Sequence, residues 1–138
     1  MIPALMSAIY TRLIEADAGP TPNPLMAAVS NRIFALQAPA SSDLPLVVYS
    51  IDAPDTSRFF GGNVRIEATV VVSVFNKLDA GPKAIADLDD KVDAQLDKKF
   101  VTVTGVGRGY IRNVQRGAPS IEGEYLRSDS TFIIEATN

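Results

Sequence analysis

Between Val64 and Phe75 the chain alternates strictly, with Val64, Ile66, Ala68, Val70, Val72 and Val74 on one face and Arg65, Glu67, Thr69, Val71, Ser73 and Phe75 on the other. A two-residue period predicts a strand. The second face is wet in its first half and apolar near Val71 and Phe75, which predicts cover on both sides there. The period then changes. In "AGPKAIADLDDKVDAQLD", residues 80–97, Ile85, Leu88, Val92 and Leu96 recur at spacings of three and four, a single apolar stripe with aspartates elsewhere. An amphipathic helix follows, its aspartates forming the solvated outer face.

A similar stripe, Leu5, Met6, Ile9, Leu13 and Ile14, predicts a helix over residues 3–18, with Pro3 suited to its first turn. The run "GPTPNP" stops it, because proline lacks a donor and disfavours helix in the residue before it. "LMAAVSNRIFAL" predicts a helical turn and a short extended piece at residues 33–36. "LPLVVYSID", residues 44–52, is branched and aromatic, a central strand, and "APDTSRFFGGN" has the composition of a connection. "FVTVT", "YIRNVQR" and "YLRSDSTFIIEAT" complete the strands, the last with Leu126, Phe132, Ile134 and Ala136 on one face. The fold class expected is α+β: a mainly antiparallel or mixed sheet of about five strands, with two main amphipathic helices packed on one side.

Composition narrows the chemistry. At 138 residues the chain fits one domain, residues 1–138, without staples. It has no cysteine and no histidine, which removes disulfides, thiolate metal sites and the commonest general base. We therefore expect no enzyme, no catalytic or metal residues and no cofactor. Net charge is −3, too mild to mark a nucleic-acid or membrane binder. The amino end carries Arg12 and Glu15 early and lacks an uninterrupted apolar core, so neither a signal peptide nor a membrane span is expected.

Several motifs resolve into simpler features. "TGVGRGYIR" carries Gly105, Gly107 and Gly109 after a strand, but a strand pattern follows where a phosphate cradle needs a helix. A tight hairpin or bulge is expected, with Arg108 at its tip. Counting a calcium loop from Asp87 puts Val92 at the sixth position and Lys98 at the twelfth, where glycine and glutamate are required. Arg108, Arg112, Arg116 and Arg127 have no aromatic ladder or recognition helix beside them, so sequence-specific nucleic-acid binding has no support. Phe59 and Phe60, beside Gly61 and Gly62, either tuck onto the core or bury against a partner.

The order of segments resembles the tail completion, or tail terminator, proteins of long-tailed bacteriophages. The likeness rests on an amino-terminal helix, "LPLVVYS" after a proline-containing loop, a polar glycine loop, the long strand "RIEATVVVSVFNK", the helix "AIADLDDKVDAQLD" and closing strands. "VSVFNK" matches the phrase that ends the long strand in many relatives. The proline cluster from Pro20 to Pro24 departs from that pattern.

The resemblance implies a structural virion subunit, assembled in the host cytoplasm. It would form a ring, usually a hexamer, at the head-proximal end of the tail, capping the tube and docking to the head connector. The implied partners are other copies of the chain, the tail tube protein and the head connector or adaptor, with DNA passing through the lumen unread. Candidate subunit or partner interface residues are Arg58, Phe59, Phe60, Arg108 and Arg116. Candidate lumen or acidic-surface residues are Asp89, Asp93, Glu122 and Glu124. An adaptor or stopper of the head connector is the alternative, and a small ligand-binding domain or enzyme using carboxylates and tyrosines is a third.

Overall fold

The computed structural model describes residues 2–15, 23–39, 42–58 and 62–138, the side chains at 53–55, 57 and 58 excepted. In chain order the elements are α1 (Ile2–Ile14), α2 (Pro24–Val29), β1 (Ile33–Ala35), β2 (Leu46–Arg58), β3 (Val64–Lys77), a 3₁₀ turn (Leu78–Ala80), α3 (Gly81–Leu96), β4 (Lys99–Val103), β5 (Gly107–Gln115), β6 (Ser120–Glu122) and β7 (Tyr125–Thr137). The sheet order is β1-β2-β3-β7-β5-β4, with β6 pairing the first residues of β7. The β1–β2 pair is parallel and every other pair is antiparallel.

The core follows the alternation. Ile66, Ala68, Val70, Val72 and Val74 of β3 are buried, as are Leu126, Phe132, Ile134 and Ala136 of β7. Against them pack Leu5, Ile9 and Leu13 of α1, Leu25 and Val29 of α2, and Ile85, Leu88, Val92 and Leu96 of α3. All three helices thus bury their stripes in the same core as the inward face of the sheet. The α+β class and the one-sided helices match expectation, while the described chain has seven strands where about five were expected, and a short third helix.

The elements beyond that count are short or lie at an edge, and two of them, α2 and β1, fall on the helical turn and the extended piece expected there. β1 and β6 have three residues each, too few to show a period. β2 continues through Arg58, where the sequence composition suggests a connection. Its pairing with β3 absorbs an irregularity between Asp52 and Asp55, and Pro54 is tolerated where β1 no longer covers that side. Double cover of β3 is only partial. The segment after β1 leaves an open groove of about 520 Å³ over the outer face, lined by Leu36, Leu44, Val48, Val71, Phe75 and Tyr125.

α1 ends at Ile14, where its apolar stripe ends and short of the bound at residue 18 expected from the sequence, and side chains take over its last carbonyls. Gln95 of α3 donates Nε2 to the Arg12 and Glu15 carbonyls, both at 2.9 Å, and Arg12 Nε donates to the Gln95 carbonyl at 2.7 Å. Asn23 donates Nδ2 to the carbonyls of Leu13 (2.9 Å) and Glu15 (3.0 Å), while its Oδ1 accepts from Met26 N–H as the cap of α2. One buried amide therefore ends one helix and starts the next. Asn23→Ala should cost about 1–2 kcal/mol, read as a lower urea midpoint at unchanged slope.

Candidate functional site

The glycines of residues 104–112 turn a hairpin. Gly105, at φ +85°, lies in the β4–β5 turn, and Val106 N–H donates to the Val103 carbonyl at 3.1 Å. Gly107, at φ +146°, passes so close to the end of β7 that a Cβ there would stand 2.6 Å from the Thr137 carbonyl oxygen. A strand, β5, follows. Arg108 is not at the tip of the turn: it lies within β5, opposite Thr102 on one side and Thr137 on the other. Its guanidinium lies 3.8 Å from the centroid of the Phe100 ring. The strand register explains the displacement, since the turn closes at the Val103–Gly107 pair and leaves Arg108 on the ladder.

Arg116 is engaged inside its own chain. It pairs with Asp90 and, at 3.5 Å, with Asp93, fastening the segment after β5 onto α3. Gly117 follows with no room for a side chain, since a Cβ would lie 2.5 Å from the Asp129 carbonyl oxygen. Gly117 N–H donates to Ser130 Oγ at 3.2 Å. Beneath this segment sits Asp89. The expectation that Asp89 belongs to a solvated acidic face is corrected: it is 4% exposed and its Oδ2 accepts from Ser128 Oγ at 2.5 Å. Among the described residues its Oδ1 has no hydrogen-bond partner, nor does Asp93 Oδ1. Burial pushes both carboxyls above the usual range, a shift that Arg116 partly offsets.

Glu122 and Glu124 lie at the other side of the sheet. Glu122 accepts from Arg127 Nη1 at 2.8 Å, and Arg127 Nε also donates to Asp129 at 2.9 Å. Glu124 is exposed in the β6–β7 turn. Asp89 meets Ser128 on the inward, helix-covered face of β7, whereas Arg127 with its carboxylates belongs to the outward face. The four acids named from the sequence therefore do not form one patch. Phe59 and Phe60 lie outside the described residues, as does the side chain of Arg58.

The sequence reading missed the aromatic pair beside Arg108. Phe100 and Tyr110 are cross-strand partners with ring centroids 5.0 Å apart, and Phe100 is 52% exposed. A signal existed in "KFVTV": with Val101 and Val103 facing inward, Phe100 had to face out.

Taken whole, the fold has counterparts. No protein-family model matches the chain, and no curated protein matches it. Among solved structures, a chain of a particle described as "Virion of native gene transfer agent (GTA) particle" superposes with a TM-score of 0.72 at 18% identity, covering 99% of this chain and 96% of that one. The two chains share one fold. A second solved structure gives a TM-score of 0.67 at 12% identity over 97% of this chain and 94% of its own. Among the described residues no helix is long and apolar enough to cross a membrane.

Proposed function

We propose that this chain is a non-enzymatic structural subunit of a virion, one that forms a ring at the head-proximal end of a phage-type tail. The ring ends growth of the tail tube and offers its far face to the head connector, so its partners are its own copies, the tube protein and a connector protein. The observation that carries this reading is the likeness to a chain of a virion particle, which spans the chain almost end to end. The order of segments in the sequence points the same way.

The fold suits such a role. Turns gather at the two ends of the long strands: the β4–β5 turn and the start of β3 lie by the end of β7, where Asn138 N–H donates to the Val64 carbonyl at 3.2 Å. The β6–β7 turn and the β3–α3 connection occupy the other end. A rigid sheet thus presents two loop-bearing ends, which is what a ring with one face to a tube and one to a connector requires.

Size-exclusion chromatography with light scattering, followed by negative-stain imaging, should show a closed oligomer, alone or with tube subunits added. A strictly monomeric protein under both conditions rejects the ring. In infected cells, loss of the gene should give overlong or unjoined tails. Unplugged heads beside normal tails would instead assign the chain to the head connector.

A further inference from the structure

Two edges of the sheet are open. β4 ends it on one side. On the other, β1 covers β2 only at Val47, Val48 and Tyr49, so the rest of β2 has no strand on the side away from β3 among the described residues. Both free edges run toward the same end of the sheet, since β4 closes on β5 at Val103–Gly107 while β2 closes on β3 at Arg58–Val64, and Arg108 and Arg65 both face Thr137.

Charge is divided between these edges. Followed across the outer face, one row reads Arg112, Ile133, Thr69, Asp52. Lys98, just before β4, lies beside that row, its N–H donating to the Ile111 carbonyl at 2.8 Å. The next row reads Phe100, Tyr110, Glu135, Glu67. Each row begins basic or aromatic at β4–β5 and turns acidic toward β2, at Asp52 in the first and at Glu135 and Glu67 in the second. Arginines elsewhere on this face are neutralised: Arg65 holds Glu67 and Glu135, each at 3.3 Å, and Arg127 holds Glu122 and Asp129. Arg112 and Arg108 have no carboxylate partner among the described residues, and Asp52 is exposed.

There is also room at the edge. α1 stands off β4 and leaves a groove of about 550 Å³, with Ala4, Ser7 and Thr11 on one wall and Val101 and Thr102 on the other.

We propose that the β4–β5 edge of one copy receives the free half of β2 of a second copy in the parallel sense, with Lys98 and Arg112 facing Asp52 and the Phe100–Tyr110 pair covered by the incoming edge. The inference rests on the ring-forming role proposed above and names the surfaces that build it. β1 already lies on β2 in the parallel sense, so the neighbour's β4 continues along the same side. The two surfaces differ, which makes the contact heterologous, and repetition about an axis along the strands closes it. Pro54 withholds one donor from the ladder, so the charged row sets register and partner choice. A phosphate backbone laid on the same face would meet Glu67 and Glu135, which favours a protein partner over DNA.

The full chain should self-associate. Asp52→Lys and Arg112→Glu should each weaken that association by at least about tenfold, and the double variant, with both edges reversed, should recover it. Both positions are exposed, and circular dichroism verifies the fold of each variant. A second measurement uses the absence of native cysteine. Neighbouring strands lie about 4.8 Å apart, within disulfide reach, so Lys98→Cys combined with Asp52→Cys should give a covalent ladder on oxidation that neither single variant gives. A wild-type oligomer with unaffected charge variants and no ladder overturns the edge pairing and leaves the ring standing. A wild-type monomer, with or without tube subunits, removes the ring and this contact together. Loss of duplex-DNA binding in Arg112→Glu with association intact overturns the proposal in favour of a nucleic-acid surface.

Discussion

Phe132→Ala should lower stability by about 3–5 kcal/mol, among the largest effects of any single truncation in this chain. Phe132 is the largest fully buried side chain among the described residues. It sits on β7, which has β3 on one side and β5 on the other, with Val70 and Asn113 as its cross-strand partners. α3 covers that face, so the cavity is bounded by two ladders and a helix and has little freedom to collapse. Ile133→Ala, one residue away on the uncovered face, should cost well under half as much. Urea unfolding of both variants decides it, with the midpoint shifted and the slope unchanged. Equal losses at the two positions would mean that β7 does not divide core from surface as described.

The same comparison shows what the sequence could reveal. β3, α3 and β7 were legible because each buries a single face, and burial imposes a period of two residues or of three and four. The outer half of β2 was not, because an edge beyond the reach of β1 tolerates Asp, Pro and Ser, the residues that also make loops. β6 holds its place through the hairpin with β7 and has no buried residue to betray it.

Asp89 is more instructive. Its position, four after Ile85 and three before Val92, lies on the apolar stripe itself, and Ser128 and Ser130 interrupt the inward face of β7 between Leu126 and Phe132. Polar residues had entered two facing apolar surfaces. That coincidence was readable as a buried polar contact, but the residue type suggested solvent. The edge rows were beyond reach for another reason: Arg112 and Asp52 share a row only through the register of β5, β7, β3 and β2, and periodicity leaves register open.

Ser128→Ala should cost about 2–3 kcal/mol at neutral pH, because it removes the hydroxyl that donates to a buried carboxylate. The cost should shrink as pH falls, and the sign follows from the groups around Asp89. Desolvation raises its pKa above 3.8, with Asp90 and Asp129 adding to the rise, while the Ser128 hydrogen bond and Arg116 oppose it. Above 3.8 and up to its folded value, Asp89 holds a proton in the folded chain that the unfolded chain has released. Its contribution to stability therefore increases as pH falls through that window, is complete below it, and is lost as pH rises past the folded value. Asp93 contributes with the same sign, its burial again the largest cause. Asp89→Asn keeps the shape and the acceptor for Ser128 but removes the charge, so it should flatten the dependence and match or exceed the parent at neutral pH. Urea unfolding at a series of pH values from 7 down to 3.8 tests this. A Ser128→Ala cost that stays constant across that range, or an Asp89→Asn variant with a steeper dependence than the parent, would show that the carboxylate remains charged in the folded core and is held by Arg116 more strongly than burial opposes it.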